Sequence, residues 1–179
     1  MASQSPRRKE ILANAGLLFE VRATEVDESL TGEDSPNGHA RRLAQSKAFA
    51  VPMNPGEVIL AADTIVIVDE LVLGKPKDAR DARRMLAMLS GRTHLVTTAI
   101  CLRYNGGGIV DSESTLVRIV ELTAAEMDAY AESGEPRDKA GAYAIQGLAS
   151  KYIDRIEGCY FNVVGLPISL VWKHLRTLE

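Results

Sequence analysis

Residues 58–68 read VILAADTIVIV, an apolar run interrupted by one aspartate, Asp63. Segments 58–61 and 64–68 of this run are rich in small and β-branched apolar residues and carry no helical periodicity. They read as a strand buried on both faces. Residues 71–73 (LVL) follow after a short polar step and are expected to pair back as a hairpin. A buried strand that carries a carboxylate raises a chemical question as well as a structural one.

Working outward, residues 6–15 form a short helix, with Ser5 as N-cap, Pro6 at its first position and Gly16 as its stop. Its first turn carries Arg7 and Arg8. Residues 19–23 read as a strand and 30–38 (LTGEDSPNG) as a polar loop. Residues 39–50 are expected to be helical, since Ala40, Leu43, Ala44, Lys47 and Ala48 share helical spacing. Residues 78–89 make a further helix with Ala82, Met85, Leu86 and Leu89 inward. Residues 94–102 and 109–120 are two strands joined across Asn105-Gly106-Gly107-Gly108. Thr123 and Glu126 form a capping box for a helix over 123–132. A strand over 151–157 and a closing helix over 165–178 complete the reading. Strands and helices alternate with at least one hairpin, so the fold class is α/β with a mixed sheet flanked by helices.

The chain has 179 residues, a length that suggests one domain over 1–179 with a hydrophobic core of its own. A net charge of −3 argues against general nucleic-acid or membrane binding, which is usually marked by a basic surplus. Any anion site must therefore be local. The two cysteines, Cys101 and Cys159, have neither zinc spacing nor a disulfide pattern and read as thiols in a reducing compartment. No apolar run approaches the roughly 20 residues that span a bilayer, and no signal-peptide core is seen. A cytoplasmic location is the expectation.

Asp63 is the first chemical candidate. A carboxylate in a buried strand costs several kcal/mol unless it is paired or metal-bound. It is either a satisfied structural group or an active carboxylate at the crevice of an α/β sheet. Gly74-Lys75-Pro76 aims a lysine from a rigid turn, although solvated turn lysines are common and the spacing is not that of a Walker A loop. Residues 134–147, GEPRDKAGAYAIQG, mix three glycines and a proline with Glu135, Arg137, Asp138, Lys139 and Gln146. That composition suits either an exposed connection or a loop whose N–H groups approach a polyanion. Asp27 and Glu28 are neighbours on an extended chain, so only one should face a given site. His39, His94 and His174 are scattered and read as ordinary core or surface residues. Arg7, Lys47 and Lys75, with glycine-rich turns and two separated carboxylates, match what a nucleoside triphosphate with Mg²⁺ would require.

The blocks SQSPRR, AADTIV, GKP, LSGRTH, GEPRDKAGAYAIQG and FNVVGLP occur in an order and spacing that resembles the Maf family, from Ala2 to about Arg176. The resemblance implies a nucleoside triphosphate pyrophosphatase that releases a monophosphate and pyrophosphate. It also implies an elongated α/β fold like that of the inosine triphosphate pyrophosphatases, a divalent cation (Mg²⁺ or Mn²⁺) and a homodimer. The pairing of ADT with DKAGAYAIQG is similar to the branch that acts on dTTP and UTP. Another branch, which prefers 7-methyl-GTP, has glutamine where this chain has Thr64.

By the same resemblance the general base falls on Asp63, and the selectivity positions on Arg7, Thr64 and Gln146. Further active-site positions fall on Ser3, Glu28, Lys47 and Lys75; Glu28 is the expected metal ligand, and Asp63 is either the base, a second metal ligand or both. These roles are chemically coherent. A carboxylate can take a proton from attacking water, and cations can meet the charge developing on the phosphates. One carboxamide offers complements to both the N3–H and a carbonyl of uracil or thymine, whereas a purine edge would leave one group unpaired.

Members of the family usually begin with a few apolar residues ahead of this motif. Most of that first strand is expected to be missing here, leaving a neighbouring strand edge exposed. The rival expectations are a pyrophosphatase for noncanonical purine nucleotides, and a nucleotide-binding regulator of cell division with little turnover.

Overall fold

The computed structural model describes residues 1–22, 26–27 and 35–178. It shows the expected α/β architecture: a five-stranded sheet in the order β2-β1-β3-β4-β5, with helices around it. The strands are β1 (Ile59–Val68), β2 (Leu71–Leu73), β3 (Thr93–Tyr104), β4 (Gly107–Ile119) and β5 (Ile153–Glu157). The sheet, expected to be mixed in direction, is antiparallel. Tight hairpins join β1 to β2 and β3 to β4, and a two-residue turn reverses the chain.

VILAADTIVIV is thus one strand, and Asp63 does not interrupt it. Val66, Ile67 and Val68 of β1 pair with Leu73, Val72 and Leu71 of β2. The turn between them, Asp69-Glu70, has φ of 49° and 65°. Two consecutive left-handed residues match the twist of a hairpin. At the second hairpin Gly106 takes φ of 93°, which no side chain resists there.

The helices are α1 (Pro6–Asn14), α2 (Pro36–Ala50), α3 (Ala79–Leu89), α4 (Ala124–Glu132), α5 (Tyr160–Val164) and α6 (Ile168–Leu175). Helix α2 starts three residues before the expected position 39, because Ser35 accepts a hydrogen bond from the Gly38 N–H and Pro36 sits at N1. The Thr123–Glu126 capping box forms at α4. The closing helix expected over 165–178 forms as the shorter α6, Ile168–Leu175, and a separate short helix, α5, precedes it. Gly165, at φ of 118°, ends α5, and Pro167 stands as the N-cap of α6. Residues 19–22 are not a strand, and position 23 lies outside the described residues. Expected strand 151–157 shortens to β5, with Leu148–Tyr152 as a 3₁₀ turn.

The chain forms two compact units. Unit 1 comprises Met1–Thr64, Thr98–Glu113 and Phe161–Glu179; unit 2 comprises Ile65–Thr97 and Ser114–Tyr160. In unit 1 the core includes Leu12 of α1, Ala40, Ala44 and Ala48 of α2, Ile100 and Leu102 of β3, and Val171 of α6. Alanines at this spacing let α2 approach closely. Unit 2 buries Ala82, Leu86 and Leu89 of α3 with Val96, Val117 and Ile119 of the sheet. Along β4, residues 115–119 alternate buried and exposed, the pattern of a strand covered on one face. The start of the chain is tied into unit 1: the Ala2 N–H donates to the Leu60 carbonyl at 2.8 Å and the Arg22 N–H to the Met1 carbonyl at 3.0 Å.

Candidate active site

Asp63 sits midway along β1 and is 8% exposed. Its burial is compensated by Lys47 from the last turn of α2, whose ammonium donates to Asp63 Oδ1 at 2.7 Å. Both side chains are largely withdrawn from water, so their mutual attraction is stronger than in a surface ion pair, and lost hydration of each ion offsets it. A carboxylate has lone pairs for about four hydrogen bonds, and among the described residues this one is seen to accept one, from Lys47. A buried, fixed carboxylate with spare acceptor capacity beside a cation is what a general base near phosphate requires.

The next residue faces different partners. Neighbours on a strand point to opposite sides, and Thr64 Oγ1 meets Arg8 Nη2 at 3.1 Å and Thr98 Oγ1 at 2.9 Å. Thr98 gives its own hydroxyl proton to the Asn162 carbonyl, so the Thr64 hydroxyl donates to Thr98. The Thr98 N–H in turn donates to Asn162 Oδ1 at 2.9 Å. Arg8 also donates to the carbonyls of Gly165 and Ala62, each at 2.8 Å, and to Ser3 Oγ at 3.2 Å. Ser3 is buried and also accepts from the Ser5 N–H.

Of the residues expected in the site, Lys47 and Asp63 therefore form one pair, and Ser3 and Thr64 are joined through Arg8. Arg7 lies half-buried in the first turn of α1. Glu28 lies outside the described residues. Among the described residues no group of three or more His, Cys, Asp or Glu side chains could hold a metal.

Lys75 and Gln146 belong to unit 2, and both are exposed. Their loops are fastened together, because the Gly141 N–H donates to the Gly74 carbonyl at 3.0 Å. Gly141 takes φ of 69°, and a Cβ there would lie 2.8 Å from the Val66 side chain. At the start of the Gln146 loop, His94 Nε2 meets Tyr143 Oη at 2.8 Å, with both rings buried. Burial lowers the His94 pKa to about 4.

Sequence reasoning assigned no role to Arg8, Thr98 or Asn162. The second arginine of SPRR and the asparagine of FNVVGLP were in plain view. A helix turns about 100° per residue, however, and only the packed molecule shows which of two adjacent arginines turns inward.

The described geometry is thus a buried carboxylate held beside a lysine within an antiparallel α/β framework. The Maf-like protein family matches residues 1–178, and the chain belongs to that family. It is 48% identical over 177 residues to a protein of Koribacter versatilis (strain Ellin345), covering 98% of this chain and 92% of that one. It is 49% identical over 178 residues to one of Syntrophomonas wolfei subsp. wolfei, with 98% and 94% covered. For one of Bacillus pumilus (strain SAFR-032) the figure is 44% over 180 residues, with 100% and 94% covered. Each of these relatives is named dTTP/UTP pyrophosphatase.

Proposed function

We propose that this chain hydrolyses dTTP and UTP, and modified pyrimidine nucleotides of the same shape, to the monophosphate and pyrophosphate. The observation that carries the reading is the buried Lys47–Asp63 pair in a chain so similar, over nearly its whole length, to proteins named for that reaction. Asp63 takes a proton from the water that attacks the α-phosphorus, and pyrophosphate leaves. Lys47, Lys75 and Arg7 meet the negative charge of the phosphates. Gln146 and Thr64 belong to base selection, with Arg8 holding the Thr64 hydroxyl in one orientation.

The oxygen donors Asp63 and Glu28 would hold a hard divalent cation such as Mg²⁺ or Mn²⁺. When bound, the cation supplies neutralisation of the triphosphate charge. Among the described residues no helix is long and apolar enough to cross a membrane, and both cysteines are free. We place the enzyme in the cytoplasm, acting on free nucleotides as a homodimer whose chain 1–179 works as one domain, without nucleic-acid or membrane partners.

The test is a panel of nucleoside triphosphates with Mg²⁺ or Mn²⁺, assayed separately for pyrophosphate and for free phosphate. Pyrophosphate released chiefly from dTTP and UTP is the expected result. Release chiefly from purine nucleotides would overturn the selectivity, and nucleotide binding without turnover would overturn the reaction.

A further inference from the structure

Gln146 sits in a turn held at one end by a tyrosine hydroxyl and at the other by a carboxylate. The Gly147 N–H donates to the Ala144 carbonyl at 3.1 Å, closing a four-residue turn with Ile145 and Gln146 at its centre. Before the turn, the Ala144 N–H donates to Tyr130 Oη at 3.2 Å. Just after it, the Leu148 N–H donates to Glu135 Oε2 at 3.0 Å. The two anchors are themselves joined, since the Tyr130 hydroxyl donates to Glu135 Oε1 at 2.8 Å. A Cβ at position 147 would lie closer to the Glu135 carboxylate than van der Waals contact allows, so a side chain there would push the clamp aside. Tyr130 is 4% exposed on α4, and Glu135 opens the 3₁₀ turn Glu135–Asp138. Tyr130 is therefore mounted on a capped helix, while Glu135 stands on the 3₁₀ turn at the start of the 134–147 segment. Burial, and then the bond to Glu135, push the Tyr130 pKa up, which keeps its hydroxyl a donor.

We propose that Tyr130 and Glu135 are positioning residues for substrate selection, a hydrogen-bonded pair that fixes the turn presenting Gln146 to the pyrimidine base. The proposal rests on the reading of Gln146 as the base-selecting residue. Gln146 is itself exposed, and a carboxamide on an unrestrained turn would spread over several orientations. A base edge read by one donor and one acceptor needs a single orientation. The clamp acts before chemistry, so its loss should appear in substrate capture and not in the hydrolytic step.

The experiment compares steady-state kinetics on dTTP, UTP, dCTP and dATP for the wild type, Tyr130→Phe, Glu135→Gln, Gln146→Ala and the double variant Tyr130→Phe/Gln146→Ala. Thermal melts establish that each variant is folded. With Tyr130→Phe, KM for dTTP and UTP should rise about tenfold, the scale of one lost hydrogen bond to a charged partner, while kcat falls far less. Glu135→Gln keeps the shape and should give the same split, which preserves the test if Tyr130→Phe does not fold. In the Gln146→Ala background the Tyr130→Phe change should have little further effect. If Gln146→Ala erodes the pyrimidine preference but Tyr130→Phe and Glu135→Gln do not, the clamp alone is refuted. If Gln146→Ala leaves the profile unchanged, base reading by Gln146 fails and takes the clamp with it. A fall in kcat at constant KM, or a Tyr130→Phe effect undiminished without Gln146, would also overturn the proposal.

Discussion

Asp63 and Lys47 show what a single buried pair does for a site. The strand places the carboxylate where water is scarce, and the end of α2 brings the ammonium to 2.7 Å. Exchanging Asp63 for asparagine keeps the shape and a hydrogen-bond acceptor but removes the base and one negative charge. Turnover should therefore fall by about 10³-fold or more, within the upper range for general-base loss. Nucleotide binding measured without the divalent cation should hold or tighten, because the anion then meets less repulsion. Isothermal titration beside the pyrophosphate assay checks both halves, and near-wild-type turnover would remove Asp63 from the role of base. Arg8 carries a different lesson. Its bonds to Gly165, Ala62, Ser3 and Thr64 make it an organiser of the chain around β1.

At the scale of elements, local signals did most of the work where they were chemically explicit. The capping box at Thr123, the Asn105-Gly106 turn and the strand over VILAADTIVIV all formed where the residues demanded it. The misses lie where a local preference competes with a neighbour. Residues 19–22 look like a strand, but their described backbone bonds reach only the first residue of the chain. Gly165 looks like the start of a helix and is the end of one, since its φ of 118° breaks the path. Gly141 tests this level. Gly141→Ala meets both a left-handed backbone and the stiff, β-branched Val66 side chain. It should destabilise the protein by about 2 kcal/mol or more. It should also loosen the tie between the Lys75 and Gln146 loops, so that stability in urea and kcat/KM fall together. A change of less than about 0.5 kcal/mol, the scale of an ordinary surface substitution, would show that the loop moves aside.

For the molecule as a whole, acid stability depends on a residue the proposed reaction does not use. His94 keeps its neutral form when folded, because burial lowers its pKa from 6.5 to about 4. The unfolded chain binds the extra proton first, so stability is held above pH 6.5 and lost as pH falls from 6.5 towards 4. This one group should account for about 3 kcal/mol across that window, to order of magnitude. Denaturant unfolding at pH 7 and pH 4.5 should show a smaller acid loss in His94→Gln than in the wild type. Equal losses would show that other groups govern the acid limb.

The α/β class, the hairpins, most helix positions, the family and the chemical types in the site were legible in the residues alone. These follow from short-range rules: the residue at a cap, the glycine at a turn, and the spacing of apolar side chains along a strand or helix. Which groups meet emerges with packing. It paired Lys47 with Asp63, turned Arg8 inward to Thr64, and set Tyr130 and Glu135 around the Gln146 turn. Such contacts join residues whose separation along the chain carries no signal. They exist because a buried charge or hydroxyl must find a partner once water is gone, and the packed chain offers few to choose from.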